Sequence, residues 1–108
     1  MALKHRSTPG STVDVLVAYD VDTHSPAGER RLRRVADVCQ AHGQRVQKSV
    51  FECRLTMAQL EILKFRLLSI MNTSEDSIRI YRVPAPRGRM VTTLGVDHYR
   101  DPAAPIIV

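Results

Sequence analysis

Asp20 ends the first apolar run of the chain, Val13 to Tyr19, at the point where a strand would meet solvent. A carboxylate at the rim of a sheet has two readings. It can cap the turn that follows at Asp22-Thr23, or it can offer oxygens to a hard cation. One carboxylate is a poor magnesium site, because Mg²⁺ takes about six oxygens, usually one or two carboxylates with waters and phosphate. A twofold axis near the strand end would supply Asp20 from a second chain. Asp22 stands two residues on, as a turn residue or as a helper to the ion's waters.

The second group with chemistry is basic. Arg30, Arg31, Arg33 and Arg34 crowd one predicted helix, and Arg45 and Lys48 follow in the next extended stretch. Forked guanidinium groups suit phosphate. The competing reading is a solvated helix face balanced by Glu29 and Asp37. Arg87 and Arg89 could lengthen a ridge built from these residues. No residue pattern reads base edges. Ser49 has no His at a motif spacing, and His5, His24, His42 and His98 are scattered. Phe51 reads as a core or interface aromatic, with base stacking as the alternative.

The totals bound what can position these groups. The chain has 108 residues, one domain's worth. Lys and Arg number 16 against 11 Asp and Glu, a formal charge of +5, which favours acidic partners without specifying one. No apolar leader opens the sequence and no stretch approaches a membrane span, so a cytoplasmic protein is expected. Cys39 and Cys53 lack a CxxC spacing and read as reduced thiols.

Residues 1–12, broken by Pro9-Gly10, read as a flexible tail. Val13 to Tyr19 reads as a central strand, apolar on both faces. Ser25 and Pro26 form a helix start, and Leu32, Val35, Ala36 and Cys39 trace a core stripe. Gly43 is expected to end that helix in a left-handed conformation. Gln44 to Leu55 reads as one bent strand or two short ones reversing at Lys48-Ser49, and two strands complete an even pattern. Thr56 to Gln59 is a capping box that opens a second helix with the stripe Leu60, Leu63, Leu67 and Ile70. Ser77 to Val83 reads as another strand, and Met90 to Leu94 as strand-like. Ile106-Ile107-Val108 is either a frayed end or an added edge strand.

The order predicts an α+β fold: a ferredoxin-like βαββαβ sandwich over residues 13–83, followed by a C-terminal extension over 84–108 that supplies an extra strand. Both helices then lie on one face of the sheet. A second copy is the simplest cover for the other face, giving a homodimer through the open sheets, with the extension exchanged between subunits.

Three stretches also resemble the second universal CRISPR-associated protein family, Cas2. They are Val15-Leu16-Val17-Ala18-Tyr19-Asp20-Val21, Gly43-Gln44-Arg45-Val46-Gln47-Lys48-Ser49-Val50-Phe51-Glu52, and Asp76-Ser77-Ile78-Arg79-Ile80-Tyr81. The resemblance runs from about Val13 to Val83. It implies a ferredoxin-like homodimer that bridges the CRISPR integrase, Cas1, during spacer acquisition in antiviral defence. It also implies a Mg²⁺- or Mn²⁺-dependent endonuclease on RNA or DNA, with Asp20 at the acidic, metal-associated position. The alternative within the resemblance is a scaffold that binds duplex DNA without cleaving it. A ferredoxin-like module binding a small metabolite is the reading outside it.

Overall fold

A computed structural model describes residues 11–102. The tail expected over residues 1–12 lies outside that range up to Gly10, as does the apolar end Ile106-Ile107-Val108. The elements are β1 (Val13–Asp20), α1 (Pro26–His42), β2 (Gln44–Gln47), β3 (Val50–Leu55), α2 (Met57–Ile70), β4 (Ser77–Val83) and a one-turn α3 (Arg87–Met90). The strands form a four-stranded sheet in the order β2-β3-β1-β4, and each adjacent pair is antiparallel. This is the α+β arrangement the element order implies.

Local chemistry explains each boundary. The Ser25 hydroxyl accepts from the Gly28 amide at 3.1 Å, with Pro26 at the first helical position. At α2 the capping box is complete: Gln59 N–H donates to Thr56 Oγ1 at 3.1 Å and Thr56 N–H to Gln59 Oε1 at 2.8 Å. The hairpin between β2 and β3 does reverse at Lys48-Ser49, with a register shift between Arg45 and Gln47. That irregularity lets the strands pair without a glycine at the turn.

Gly43 departs from the expectation. Its φ of −168° is extended rather than left-handed. Glycine is required for a different reason, since a Cβ here would lie 2.4 Å from Cys53 Sγ and 2.5 Å from the Glu52 carbonyl oxygen. The helix end is pressed directly against β3.

The core fills the layer between helices and sheet. Val15, Val17 and Tyr19 of β1 meet Phe51, Cys53 and Leu55 of β3, Val35, Val38 and Cys39 of α1, and Leu60, Leu63 and Leu67 of α2. Burial pushes the Cys39 thiol up to about 12 and the Cys53 thiol to about 11, so neither is a nucleophile at neutral pH. Both act as packing.

Strand alternation assigns the opposite, open face. Asp14, Leu16, Ala18 and Asp20 of β1 pair there with Arg54, Glu52 and Val50 of β3, and with Val83, Tyr81, Arg79 and Ser77 of β4. The C-terminal extension corrects the sequence reading. Among the described residues no strand follows β4: Arg87–Met90 is helical and 91–102 has no regular structure. Pro84 and Pro86 lack the amide a ladder needs, and Gly95 turns the chain at φ 85°. Side chains tether the segment to its own sheet instead. The Arg87 guanidinium bonds both oxygens of buried Glu52 and lies 3.4 Å from the Tyr99 ring centroid. The Gln44 amide exchanges hydrogen bonds with the Arg100 backbone, its Oε1 accepting from the Arg100 amide at 2.8 Å.

Candidate functional site

Two groups of candidate residues emerge, on opposite sides of the sheet. On the open face the strands carry three acids, Asp14, Asp20 and Glu52. Asp14 accepts from Arg54 Nε at 3.1 Å, and Glu52 is held by Arg87. Asp20, exposed at the C-terminal end of β1, makes no side-chain hydrogen bond or ion pair among the described residues. Among the described residues it is the one open-face carboxylate left without a side-chain partner. It does not cap the following turn; that is the work of Asp22, whose Oδ1 accepts from the His24 amide at 3.0 Å and also meets the His24 ring. The His24 imidazole beside it lowers the Asp22 carboxyl, and the carboxylate in turn raises the imidazole. Asp22 is thereby committed to its loop and poorly placed to ligate an ion.

A residue the sequence reading gave no role organises this rim. Asp76 has a fully buried side chain. Its carboxylate accepts from Arg31 Nε at 2.8 Å, the Asp22 amide at 3.0 Å and the Asn72 amide at 2.9 Å. One carboxylate thus ties α1, the loop leaving β1 and the start of β4 together. The Arg31 guanidinium, followed by the backbone amides, holds the Asp76 carboxyl below its ordinary range. The sign of the pH effect follows. A depressed folded-state pKa adds stability above the unfolded value, about 4, and that stability is lost as pH falls through the folded value. Thermal midpoints should therefore drop on acidification below about pH 4. In Asp76→Asn the midpoint should start lower at neutral pH and fall less on acidification. A scanning-calorimetry series across that range checks both.

The basic group lies on the helix side. Arg30, Arg33, Arg34 and Asp37 share one face of α1, and with Arg45 of β2 they line an open hollow of about 500 Å³. Arg45 is anchored there by its guanidinium over the Phe51 ring, 5.1 Å from the centroid. Phe51 itself is fully buried, a core residue and not a stacking platform. Lys48, exposed in the β2–β3 turn, lines a neighbouring hollow with Arg45. Arg31 does not join them. Its guanidinium is neutralised by Asp76 and by Glu75 at 3.0 Å, because the next position round the helix points at β4 and its loop. Arg87 is likewise occupied by Glu52, so it does not extend a free ridge. Arg79 was not singled out from sequence, yet alternation puts it on the open face opposite Ala18, two pairs along the ladder from Asp20 and on the same face.

No three His, Cys, Asp or Glu side chains converge as a metal cluster among the described residues. A single unpaired carboxylate fits Mg²⁺ only with water, phosphate or a second chain completing the shell. No described helix is long and apolar enough to cross a membrane.

Residues 13–91 match the family profile of CRISPR associated protein Cas2. The chain belongs to the Cas2 family. It is 48% identical over 94 residues to a Moorella thermoacetica protein named CRISPR-associated endoribonuclease Cas2 1, covering 87% of this chain and 98% of that one. It is 45% identical over 93 residues to the CRISPR-associated endonuclease Cas2 of Halalkalibacterium halodurans, covering 86% and 97%. The crystal structure of Streptococcus pyogenes Cas2 at pH 6.5 superposes with a TM-score of 0.69 at 51% identity, over 76% of this chain and 99% of that one. The Cas2 match starts at the first residue of β1 and ends just past α3, so it spans the sheet, both long helices, Asp20 and the α1 arginines.

Proposed function

We propose that this Cas2-family chain is a metal-dependent endonuclease that works as a twofold dimer on RNA or DNA. The observation that carries the reading is Asp20, the only open-face acid without a partner among the described residues. Leu16, Ala18, Val46, Val50 and Tyr81 give that face an apolar surface that a second open face can bury. Stacking the faces would bring the two Asp20 carboxylates to a shared rim, where they would hold Mg²⁺ or Mn²⁺. The ion would supply an activated water and steady the scissile phosphate. Arg79, on the same face as Asp20, would hold the flanking phosphate. The Asp76 network keeps the loop after Asp20 in place, and exchange of the C-terminal segment would add contact across the dimer. Leu94 and Val96, 91% and 75% exposed, are the residues such an exchange would bury.

The scaffold reading has its own observation. The Arg30, Arg33, Arg34 and Arg45 hollow lies across the sheet from Asp20, so it can hold a nucleic-acid backbone that the acid never touches. In that role the dimer holds duplex DNA and bridges Cas1 dimers during spacer acquisition in CRISPR adaptation. Both readings predict salt-dependent binding. If the three α1 arginines each neutralise a phosphate, Arg30→Ala/Arg33→Ala/Arg34→Ala should flatten the log K against log salt slope for duplex DNA by about 2.7. An unchanged slope places the backbone elsewhere. Divalent-dependent cleavage of RNA and DNA by the same purified protein separates the readings, since a scaffold alone leaves both intact.

A further inference from the structure

The outer side of α2 is apolar where it should be polar. Leu60, Leu63 and Leu67 face the core. Phe65 lies diametrically opposite them and is 73% exposed, with Leu68 at 61% and Ile62 at 53% on either side. A helix apolar all round is normally buried on both sides, and a contiguous exposed strip of this kind marks an interaction surface. The strip belongs to neither candidate group: the α1 arginines are on another helix and Asp20 is on the other face of the sheet.

The borders of the strip say what fits it. On a 3.6-residue helix Lys64 and Arg66 fall on its two opposite edges. Glu61, the one acid on this side of the helix, falls within the strip between Leu68 and Phe65, and is tied to Lys64 at 3.1 Å. Arg66 makes no ion pair among the described residues. An antiparallel pairing with a second copy of α2 would set Lys64 near Lys64 and Arg66 near Arg66, between two chains that each carry +5. Like charges at such positions oppose association. A single aromatic between aliphatic neighbours also differs from the rows of aromatics that stack nucleobases.

We infer that the outer face of α2 is a docking site for an amphipathic helix of another protein, one whose apolar face is bordered by carboxylates. Phe65 is the anchor, and Lys64 and Arg66 set the orientation.

The test uses the full chain and two fluorescent synthetic helical peptides with the same leucine face, one bordered by glutamate and one by lysine. Anisotropy should show the glutamate-bordered peptide binding at least about tenfold tighter. Phe65→Asp should abolish that preference while leaving the circular-dichroism spectrum and melting midpoint at wild-type values, because the side chain packs on nothing in the core. Lys64→Glu/Arg66→Glu should reverse it toward the lysine-bordered peptide. Equal affinity for both peptides, or binding unaffected by Phe65→Asp, overturns the inference. So does a wild-type assembly larger than a dimer that Phe65→Asp dissolves, which would make a second copy the occupant. Binding to anionic vesicles with no peptide preference would make it a lipid surface.

Discussion

Asp20→Ala should remove divalent-dependent phosphodiester cleavage while the protein stays folded, dimeric and able to bind nucleic acid. Asp20 is exposed and makes no side-chain bond, so its loss opens no cavity and orphans no donor. Asp22 and Asp76 cannot stand in for it, because each is committed to the loop network. Electrostatic help from a bound ion amounts to several kcal/mol of barrier, and each 1.36 kcal/mol is tenfold. The expected fall in cleavage rate is therefore about 10³-fold. Rate measurements with Mg²⁺, Mn²⁺ and excess chelator on identical substrate check it. Cleavage by Asp20→Ala at the wild-type rate would show that Asp20 does not hold the ion and would remove the shared-acid reading.

Gly28→Ala is the second large effect, on stability and on the Asp20 rim together. Gly28 sits in the first turn of α1, pressed on the loop that leaves β1. A Cβ there would lie 1.9 Å from the Asp22 carbonyl oxygen and 3.2 Å from Thr23 Cα. These are backbone atoms, so no rotamer change relieves the clash. Either α1 lifts from the sheet or residues 22–23 move and pull the Asp22 amide off Asp76. Overpacking of this kind costs about 1–3 kcal/mol. Chemical denaturation should show that loss, and cleavage should fall with it at temperatures where the variant is still folded. Gly88→Ala is the control, with nothing within 4 Å of the added methyl. Equal stability of the two variants would mean that the loop yields freely and that the Asp76 network does not fix the rim.

The sequence carried the sheet and both long helices because periodicity and capping are local signals. Ser25-Pro26, the Thr56 box and the alternation through Val13 to Tyr19 are each contained within a few residues, and each lies where it was read. What escaped depends on contacts distant in sequence. Arg31 looks like its neighbours along the chain, and only Asp76, 45 residues away, distinguishes it. Arg87 reads as a free cation until Glu52, 35 residues off, is found beside it. Gly43 was identified as necessary but for the wrong reason, since local reasoning offers a helix stop while the actual constraint is β3. Val91, Thr92 and Thr93 are the β-branched residues of a strand, yet among the described residues they pair with no sheet edge. Of the candidate residues, Arg30, Arg33, Arg34 and Arg45 converge, Lys48 adjoins them, and Asp20 stands apart.

The most direct measurement is cross-linking of Asp20→Cys with a short bis-maleimide. The native thiols are buried, with values pushed up to about 12 and 11, so residue 20 is the reactive position. Stacked open faces predict a covalent dimer formed rapidly and to near completion, at a yield independent of protein concentration once the dimer is formed. Exclusively monomeric product in a sample that sedimentation shows to be dimeric would put the two acids apart and contradict the shared rim.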